Sequence, residues 1–296
     1  ISMLPNNNKT IINKLAKNSV KTNKKQYAIL FFTIILSSFM LFCVFTIGMT
    51  YLDSSRLQNT RLNGAEYDIA AMNGFTSEQL NTLRQNEHIR SVGIESYAGF
   101  IQSTEYDETV EVGLLWCDEV FWDNLMSPAR TKLDGHYPQN KNELMVTKDI
   151  LKTCGNENLS VGDSLILTYA NNTGVYTDEF IISGIWDGYG DTSAGFVSKA
   201  FFDETGYDLK NDGILCIKLN RNYVFPATIQ SIEKSLDFSD RQIFAPTSYI
   251  ENSFKLLLGI CGLALVICLS AYLLIYNILY LSVSGKIRYY GLLQSL

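Results

Sequence analysis

Two long apolar runs divide the chain. Residues 26–52 (QYAILFFTIILSSFMLFCVFTIGMTYL) and residues 256–284 (LLLGICGLALVICLSAYLLIYNILYLSVS) contain no charged side chain. A bilayer core of about 30 Å needs roughly 20 residues of helix, so each run is long enough to span it. A cleaved signal peptide has an apolar stretch of only about 7–15 residues, which argues against that interpretation of the first run. The pattern therefore predicts two transmembrane helices.

Between these runs, shorter patterns predict two strand–helix–strand units. The first helix begins with Thr76 followed by Gln79, which is a capping-box pattern. The second helix has Pro226 in its first turn. The units are expected at 65–72, 76–86 and 88–101, and at 213–220, 226–236 and 241–246. Two such units at opposite ends of a domain indicate one ferredoxin-like sheet covered by helices.

The region between the two units is rich in strand patterns separated by turn residues. Strands are expected at 143–151, 162–170, 178–187 and 194–202. We interpret this region as an inserted β-rich subdomain. The predicted fold class is thus an α+β membrane protein, in which two transmembrane helices flank one large mixed domain.

Charge is distributed very unevenly along the chain. The first 52 residues contain six lysines and no acid, whereas all 30 acids lie between positions 53 and 251 beside 15 basic residues, a net −15. Basic residues near a span tend to stay cytoplasmic. Both ends are therefore expected inside the cell and the large domain outside. The predicted domains are 1–25 (basic amphipathic arm), 26–52 (first span), 53–252 (outer domain), 256–284 (second span) and 285–296 (start of a cytoplasmic segment).

The arm could form a short helix on the cytoplasmic membrane surface, because apolar residues recur at spacings of three and four between lysines. An unstructured basic flank that only sets the topology is the alternative.

Residues that would carry chemistry are sparse. The two histidines, His88 and His136, lie in different parts of the outer domain, and neither belongs to a zinc-binding motif. The glycine-rich stretch DGYGDTSAG lacks the order of a phosphate-binding loop. We expect no catalytic residue, no bound cofactor and no metal site. Three cysteines lie in the spans and three in the outer domain, where free thiols or a single bridge both remain open.

Two classes of function fit a two-span protein with a large outer domain: a membrane sensor that binds a ligand outside, and a transporter subunit. The stretch GKIRYYGLLQSL at 285–296 separates them. A sensor is expected to continue into a signalling helix with heptads, whereas here a basic residue is followed by Gly-Leu-Leu.

Three stretches resemble FtsX-like permeases of ABC transporters. The end of the second span and the following segment, with Arg288, Gly291, Leu292 and Leu293, resemble the family's cytoplasmic segment after that span. The lysine-rich arm that runs into the first span is similar to the family's opening. The order of GHYP, EL and VGD between positions 135 and 163 resembles the MacB-like extracytoplasmic core domain.

The resemblance implies a function and partners. It implies a permease subunit that dimerises with a second permease copy, binds a separate ABC ATPase and is not itself an enzyme, because ATP belongs to the ATPase. Arg288, Tyr289, Gly291 and Leu292 would contact that ATPase. The chain would lie in a bacterial cell membrane, with lipid and no nucleic acid as a partner. It would either move a substrate or regulate a partner outside. Full permeases have at least two further spans, so we expect a fragment, or less simply one half of a split permease.

Overall fold

The computed structural model describes residues 13, 17–18, 20–102, 112–189 and 194–284. Contacts divide the chain into two compact units. One unit comprises residues 1–51 and 256–296, and the other comprises residues 52–255, which we call the central domain. Most of the predicted basic arm and all of residues 285–296 lie outside the described residues.

Two helices are long and apolar enough to cross a membrane. They are the first and the last of the described α-helices, which are α1 (Lys24–Asn63), α2 (Ser77–Gln85), α3 (Lys148–Thr153), α4 (Lys199–Phe202), α5 (Pro226–Ser235) and α6 (Ser248–Ser284). A π-helical turn lies at Val120–Leu125 and a 3₁₀ turn at Ser127–Ala129, and residues 13, 17–18 and 20–22 are also helical. The length of α1 and α6 follows from uninterrupted apolar sequence without proline.

The helices α1 and α6 pack together at Gly48 of α1, a residue without a side chain. A Cβ atom added at Gly48 would lie 2.6 Å from Cδ1 of Ile260, well inside van der Waals contact. Gly48 therefore allows the two helices to approach closely, as small residues do between membrane helices.

The described residues of the central domain form a ten-stranded sheet. Its strands are β1 (Ile69–Met72), β2 (Ile89–Ile101), β3 (Val112–Cys117), β4 (Arg130–Gly135), β5 (Glu143–Thr147), β6 (Ser164–Asn171), β7 (Gly174–Gly188), β8 (Ala194–Val197), β9 (Ile214–Leu219) and β10 (Ile243–Pro246). The order is β10-β1-β9-β2-β3-β8-β5-β7-β4, and β6 pairs with β2 and β7. The fold of the central domain is thus mixed α/β with a large sheet.

The two strand–helix–strand units interleave at one end of this sheet. β1 and β2 come from the first unit and β9 and β10 from the second, and all three neighbouring pairs in the order β10-β1-β9-β2 are antiparallel. The predicted cap of α2 is confirmed, because Thr76 Oγ1 accepts a hydrogen bond from Gln79 N at 3.1 Å and Gln79 Oε1 accepts one from Thr76 N at 2.9 Å.

The strand-rich middle differs from the prediction in three respects. Its strands do not form a sheet of their own, because β3 joins them to β2. The strands predicted at 143–151 and 194–202 end early, at Thr147 and Val197, and short helices follow. The side chains of Thr147 and Ser198 cap those helices, each accepting a backbone hydrogen bond at 3.2 Å. The sequence patterns also did not predict β3 or β4.

Two hydrophobic clusters lie on opposite faces of the sheet. Along β9, Leu215 and Ile217 belong to the larger cluster while Cys216 between them belongs to the smaller one. Successive strand side chains point to opposite faces, so this alternation assigns one cluster to each face. The smaller cluster packs under the π-helical turn, with Phe121 and Trp122 buried in it.

Candidate transmission site around Asp68

The predicted ATPase-contacting residues cannot be placed in this fold. Arg288, Tyr289, Gly291 and Leu292 all lie outside the described residues, so their role stays a prediction. The described residues contain a different functional candidate, which lies where the ends of α1 and α6 enter the central domain. The residues around Asp68 form it.

The last three turns of α1 belong to the central domain and are fixed there. Leu52 and Thr60 are buried, and Thr60 Oγ1 donates a hydrogen bond to Arg56 O at 3.1 Å. Gly64 follows the helix with φ of +68°, the left-handed conformation that commonly ends helices. The chain then runs directly through Glu66 toward β1.

The first turns of α6 are fixed in the same domain. Tyr249 and Ile250 are buried in the larger hydrophobic cluster. The Tyr249 hydroxyl donates a hydrogen bond to Asn222 O at 3.2 Å, and Thr247 Oγ1 accepts one from Ile250 N at 3.4 Å. Burial raises the pKa of Tyr249, so its hydroxyl stays protonated and remains a donor.

Asp68 connects both of these helix ends to the sheet. Its N–H donates to Ile217 O at 2.9 Å, and its carbonyl oxygen accepts from Thr247 N at 2.8 Å. Its Oδ2 atom accepts from Leu219 N at 2.9 Å and lies 3.3 Å from Lys218 Nζ. Asp68, which itself lies in the segment after α1, therefore contacts both the strand β9 and the residue before α6.

An ion network surrounds Asp68 and extends back to α1. Lys218 Nζ lies 3.1 Å from Glu66 Oε1, and Arg56 Nη1 lies 3.9 Å from the same oxygen. Two acids thus face two bases, which balances the charge. The side chains of Lys218 and Asp68 are only 6% and 2% exposed, so water screens their attraction little.

Burial and bonding have opposite effects on the pKa of the Asp68 carboxyl. Burial raises the pKa of its carboxyl, while the charge of Lys218 and the Leu219 N–H lower it. Removing one member of a buried pair leaves the other charge uncompensated, which typically costs about 3–5 kcal/mol. The ion pair between Asp68 and Lys218 is therefore costly to break.

The sequence contains a signal for this cluster. Lys218 is a single charge inside the otherwise apolar strand pattern GILCIKLN, and Asp68 directly precedes another strand. A lysine in a buried strand requires an acidic partner. What the sequence does not give is the partner's identity, because the two residues are 150 positions apart.

The arrangement around Asp68 holds the two helix ends and the sheet together through mutually connected bonds. Among the described residues, no group of three or more His, Cys, Asp or Glu side chains could hold a metal ion.

Comparisons with known proteins find matches among solved structures only. No protein-family model and no curated protein matches the chain. The periplasmic region of MacB from Actinobacillus actinomycetemcomitans is similar in structure, with 12% identity and a TM-score of 0.42 over 66% of this chain and 95% of that chain. The extracellular domain of a noncanonic ABC-type transporter, YknZ, from Gram-positive bacteria is 12% identical, with a TM-score of 0.39 over 60% of this chain and 98% of that one. Both matched structures are periplasmic or extracellular domains, and the chain is similar to them at low sequence identity.

Proposed function

We propose that the chain is a permease subunit of an ABC transporter, which transmits ATP-driven motion to a domain outside the cell. Two observations support the proposal. The sequence resembles FtsX-like permeases in its arm, its domain and its tail, in the same order relative to two apolar segments. The structure has two helices long and apolar enough to cross a membrane, one before and one after the central domain in the sequence.

One observation carries the proposed mechanism: α1 and α6 both continue into the central domain as helices, and the segments at their ends bond to Asp68. The four-stranded end of the sheet, β10-β1-β9-β2, is the ferredoxin-like unit that receives the motion. A shift of either helix would pull on Asp68 and hence on β9. Motion can therefore reach the domain without a substrate passing along the helices.

The partners follow from the same proposal. An ABC ATPase binds the segment at 285–296 and supplies the energy of ATP hydrolysis, and a second permease copy completes the complex. Both ends of the chain are cytoplasmic and the central domain is extracytoplasmic. The chain itself holds no cofactor, and its task is to export or extract a substrate or to regulate a partner outside.

The tail residues suit docking of a short helix in a groove of the ATPase. Tyr289 and Leu292 are three positions apart and so share one helix face, on which they supply apolar anchors. Arg288 offers a planar guanidinium that can bind a carboxylate through two parallel hydrogen bonds. Gly291 has no side chain, so the backbone of the partner can approach it closely.

The proposal is tested by capturing the partner of this protein expressed from its native gene in native membranes. A tagged wild-type protein is expected to capture an ABC ATPase. Leu292→Asp should lower capture of the ATPase by about tenfold or more, because it buries a carboxylate in the groove. Arg288→Glu should uncouple ATP hydrolysis from transport while membrane insertion stays intact. Gln294→Glu is the matched control, since it adds a carboxylate two positions from Leu292 and therefore on a different helix face.

Two results would count against the proposal in different ways. If the wild-type protein captures no ATPase, the permease function is wrong. If it captures one but the variants and the control behave alike, only the assignment of the coupling residues is wrong.

A further inference from the structure

A cavity of about 580 Å³ opens in the central domain, formed by residues that take no part in the Asp68 network. Aromatic and acidic side chains dominate its lining. The residues that matter for its chemistry are Trp116, Trp122, Tyr137, Asp118, Glu119 and Asp123. A volume of this size holds a molecule of several hundred daltons, since ligand pockets commonly measure about 300–1,000 Å³.

An unusual turn of the chain builds one side of the cavity. The π-helical turn Val120–Leu125 follows β3 and carries Trp122 and Asp123. Asp118 stabilises its start, because Oδ1 accepts hydrogen bonds from Phe121 N at 2.8 Å and Ile94 N at 3.0 Å. Single π-helical turns are rare and are frequently found at functional sites.

The aromatic walls are held in place before any ligand arrives. The Tyr137 hydroxyl accepts from Cys117 N at 3.0 Å and lies 3.2 Å from Val197 O, to which it donates. The ring centroids of Trp122 and Tyr137 lie 5.0 Å apart. On the other side, Trp116 stacks on Phe202 with centroids 5.2 Å apart. A fixed wall of this kind lowers the entropic cost of binding.

The charges at the cavity select the sign of a ligand. Three carboxyl groups and one amine, that of Lys199, line it. Lys199 is already paired with Asp203, whereas Glu119 and Asp123 are exposed and form no ion pair with any described residue. The cavity therefore has an excess of negative charge that attracts cations and repels anions.

The indole rings that line the cavity already bind cations of the protein itself. Cζ of Arg130 lies 4.0 Å from the centroid of the Trp122 ring, and Nζ of Lys199 lies 5.1 Å from that of Trp116. An ammonium group over an aromatic ring gains about 0.5–2 kcal/mol, depending on how far it is desolvated. Both rings are thus placed where cations are stabilised, and the rim carboxylate of Asp123 also stabilises the charge of Arg130.

We propose that this cavity binds an organic cation with an apolar body, such as an ammonium group attached to an aromatic or branched hydrocarbon. The hydrocarbon packs against Trp116 and Trp122, and the positive charge lies at the rim beside Glu119 and Asp123. The site does not depend on the proposed transport function, since a receptor or a permease could equally present it.

The test compares two probes that differ in charge alone: 2-phenylethylammonium and 2-phenylethanol. The whole chain in an uncharged detergent is titrated with each, and tryptophan emission is recorded. Two of the three tryptophans line the cavity, so binding is expected to change the signal. The ammonium should bind at least fivefold more tightly than the alcohol, roughly the gain from one ion pair with an exposed carboxylate.

Charge-neutral variants then locate the site. The pair Glu119→Gln/Asp123→Asn is expected to weaken ammonium binding about tenfold and leave binding of the alcohol unchanged. The matched control pair, Glu157→Gln/Glu233→Gln, removes two exposed carboxylates elsewhere and should change neither. The inference is overturned if both probes bind alike, if neither saturates by about 10 mM, or if both double variants have the same effect.

Discussion

Replacing Lys218 by Met is expected to destabilise the central domain severely. Methionine keeps the length of the side chain but removes the charge, so Asp68 and Glu66 lose their shared cation at 3.3 and 3.1 Å. A broken buried pair costs about 3–5 kcal/mol. The lower end of that range applies here, because Asp68 keeps its hydrogen bond from Leu219 N and Glu66 is partly exposed and near Arg56. We therefore expect a loss of about 3 kcal/mol in the free energy of unfolding.

The measurement is urea unfolding of the whole chain in detergent, followed by tryptophan emission. All three tryptophans lie in the central domain, so the signal reports on that domain. The control is Lys141→Met, which breaks the ion pair with Glu204, where both side chains are more than half exposed. An exposed pair contributes about 0.2–1 kcal/mol, so the control should lose much less stability than Lys218→Met.

A double variant tests whether the loss comes from the pair itself. Asn at position 68 keeps an oxygen for Leu219 N but carries no charge, so Asp68→Asn/Lys218→Met should be more stable than Lys218→Met alone by about 1–2 kcal/mol. If the double variant is no more stable than Lys218→Met alone, or if Lys218→Met costs no more than the control, then Asp68 and Lys218 are not coupled and the proposed link is refuted.

Two further predictions concern other parts of the chain. The Glu95 carboxyl lies 3.6 Å from the Cys216 thiol, and burial raises its pKa to about 7. Because the folded pKa exceeds the unfolded one, the folded domain binds the extra proton, and the free energy of unfolding should fall by up to about 3 kcal/mol as pH rises from about 4.5 to 7. Glu95→Gln should remove most of the difference between urea midpoints measured at about pH 5 and about pH 8, and an unchanged difference would contradict the assignment. In the apolar helices, Gly48→Leu should separate α1 from Ile260 and lower the aggregation temperature of the detergent-solubilised chain, at a cost of about 1–3 kcal/mol. Gly48→Ala should be milder, because the nearest atom is the flexible end of that isoleucine, and equal effects of both substitutions would argue against a close helix contact here.

Much of the secondary structure follows from short-range signals in the sequence. The apolar runs predict two long helices by length alone, and the structure has them. Thr76 and Gln79 predict the start of α2 through a cap that closes within four residues. Such features are predictable because the interacting groups are near neighbours in the chain.

Two kinds of feature escaped prediction for physical reasons. The apolar segments at 143–151 and 194–202 change from strand to helix midway, because a Thr or Ser cap competes with the pattern of apolar residues. The strand β4 has only exposed or half-buried residues at the edge of the sheet, so no alternation marks it. Burial that depends on a distant strand leaves little trace in local sequence.

The Asp68 network shows the same limit. The lysine inside β9 is visible in the sequence as a charge in an apolar pattern. Its acidic partner, Asp68, lies 150 positions earlier in the chain. Only the antiparallel pairing of β1 with β9, with Ile69 opposite Ile217, brings them together. The aromatic and acidic cavity likewise draws on β3, the π-helical turn and the residues after β4, so no single motif predicts it.

The most direct test of the proposed transmission mechanism is amide hydrogen exchange in this chain bound to the ABC ATPase that it is expected to capture, compared with and without a non-hydrolysable ATP analogue. The informative amides are those of Asp68, Leu219 and Thr247, because each donates or connects directly to the Asp68 network. The account predicts that nucleotide binding changes their exchange rates, and that Asp68→Asn/Lys218→Met abolishes the change. If nucleotide alters exchange at the ATPase contact while these three amides exchange at an unchanged rate, the motion does not reach the domain through Asp68.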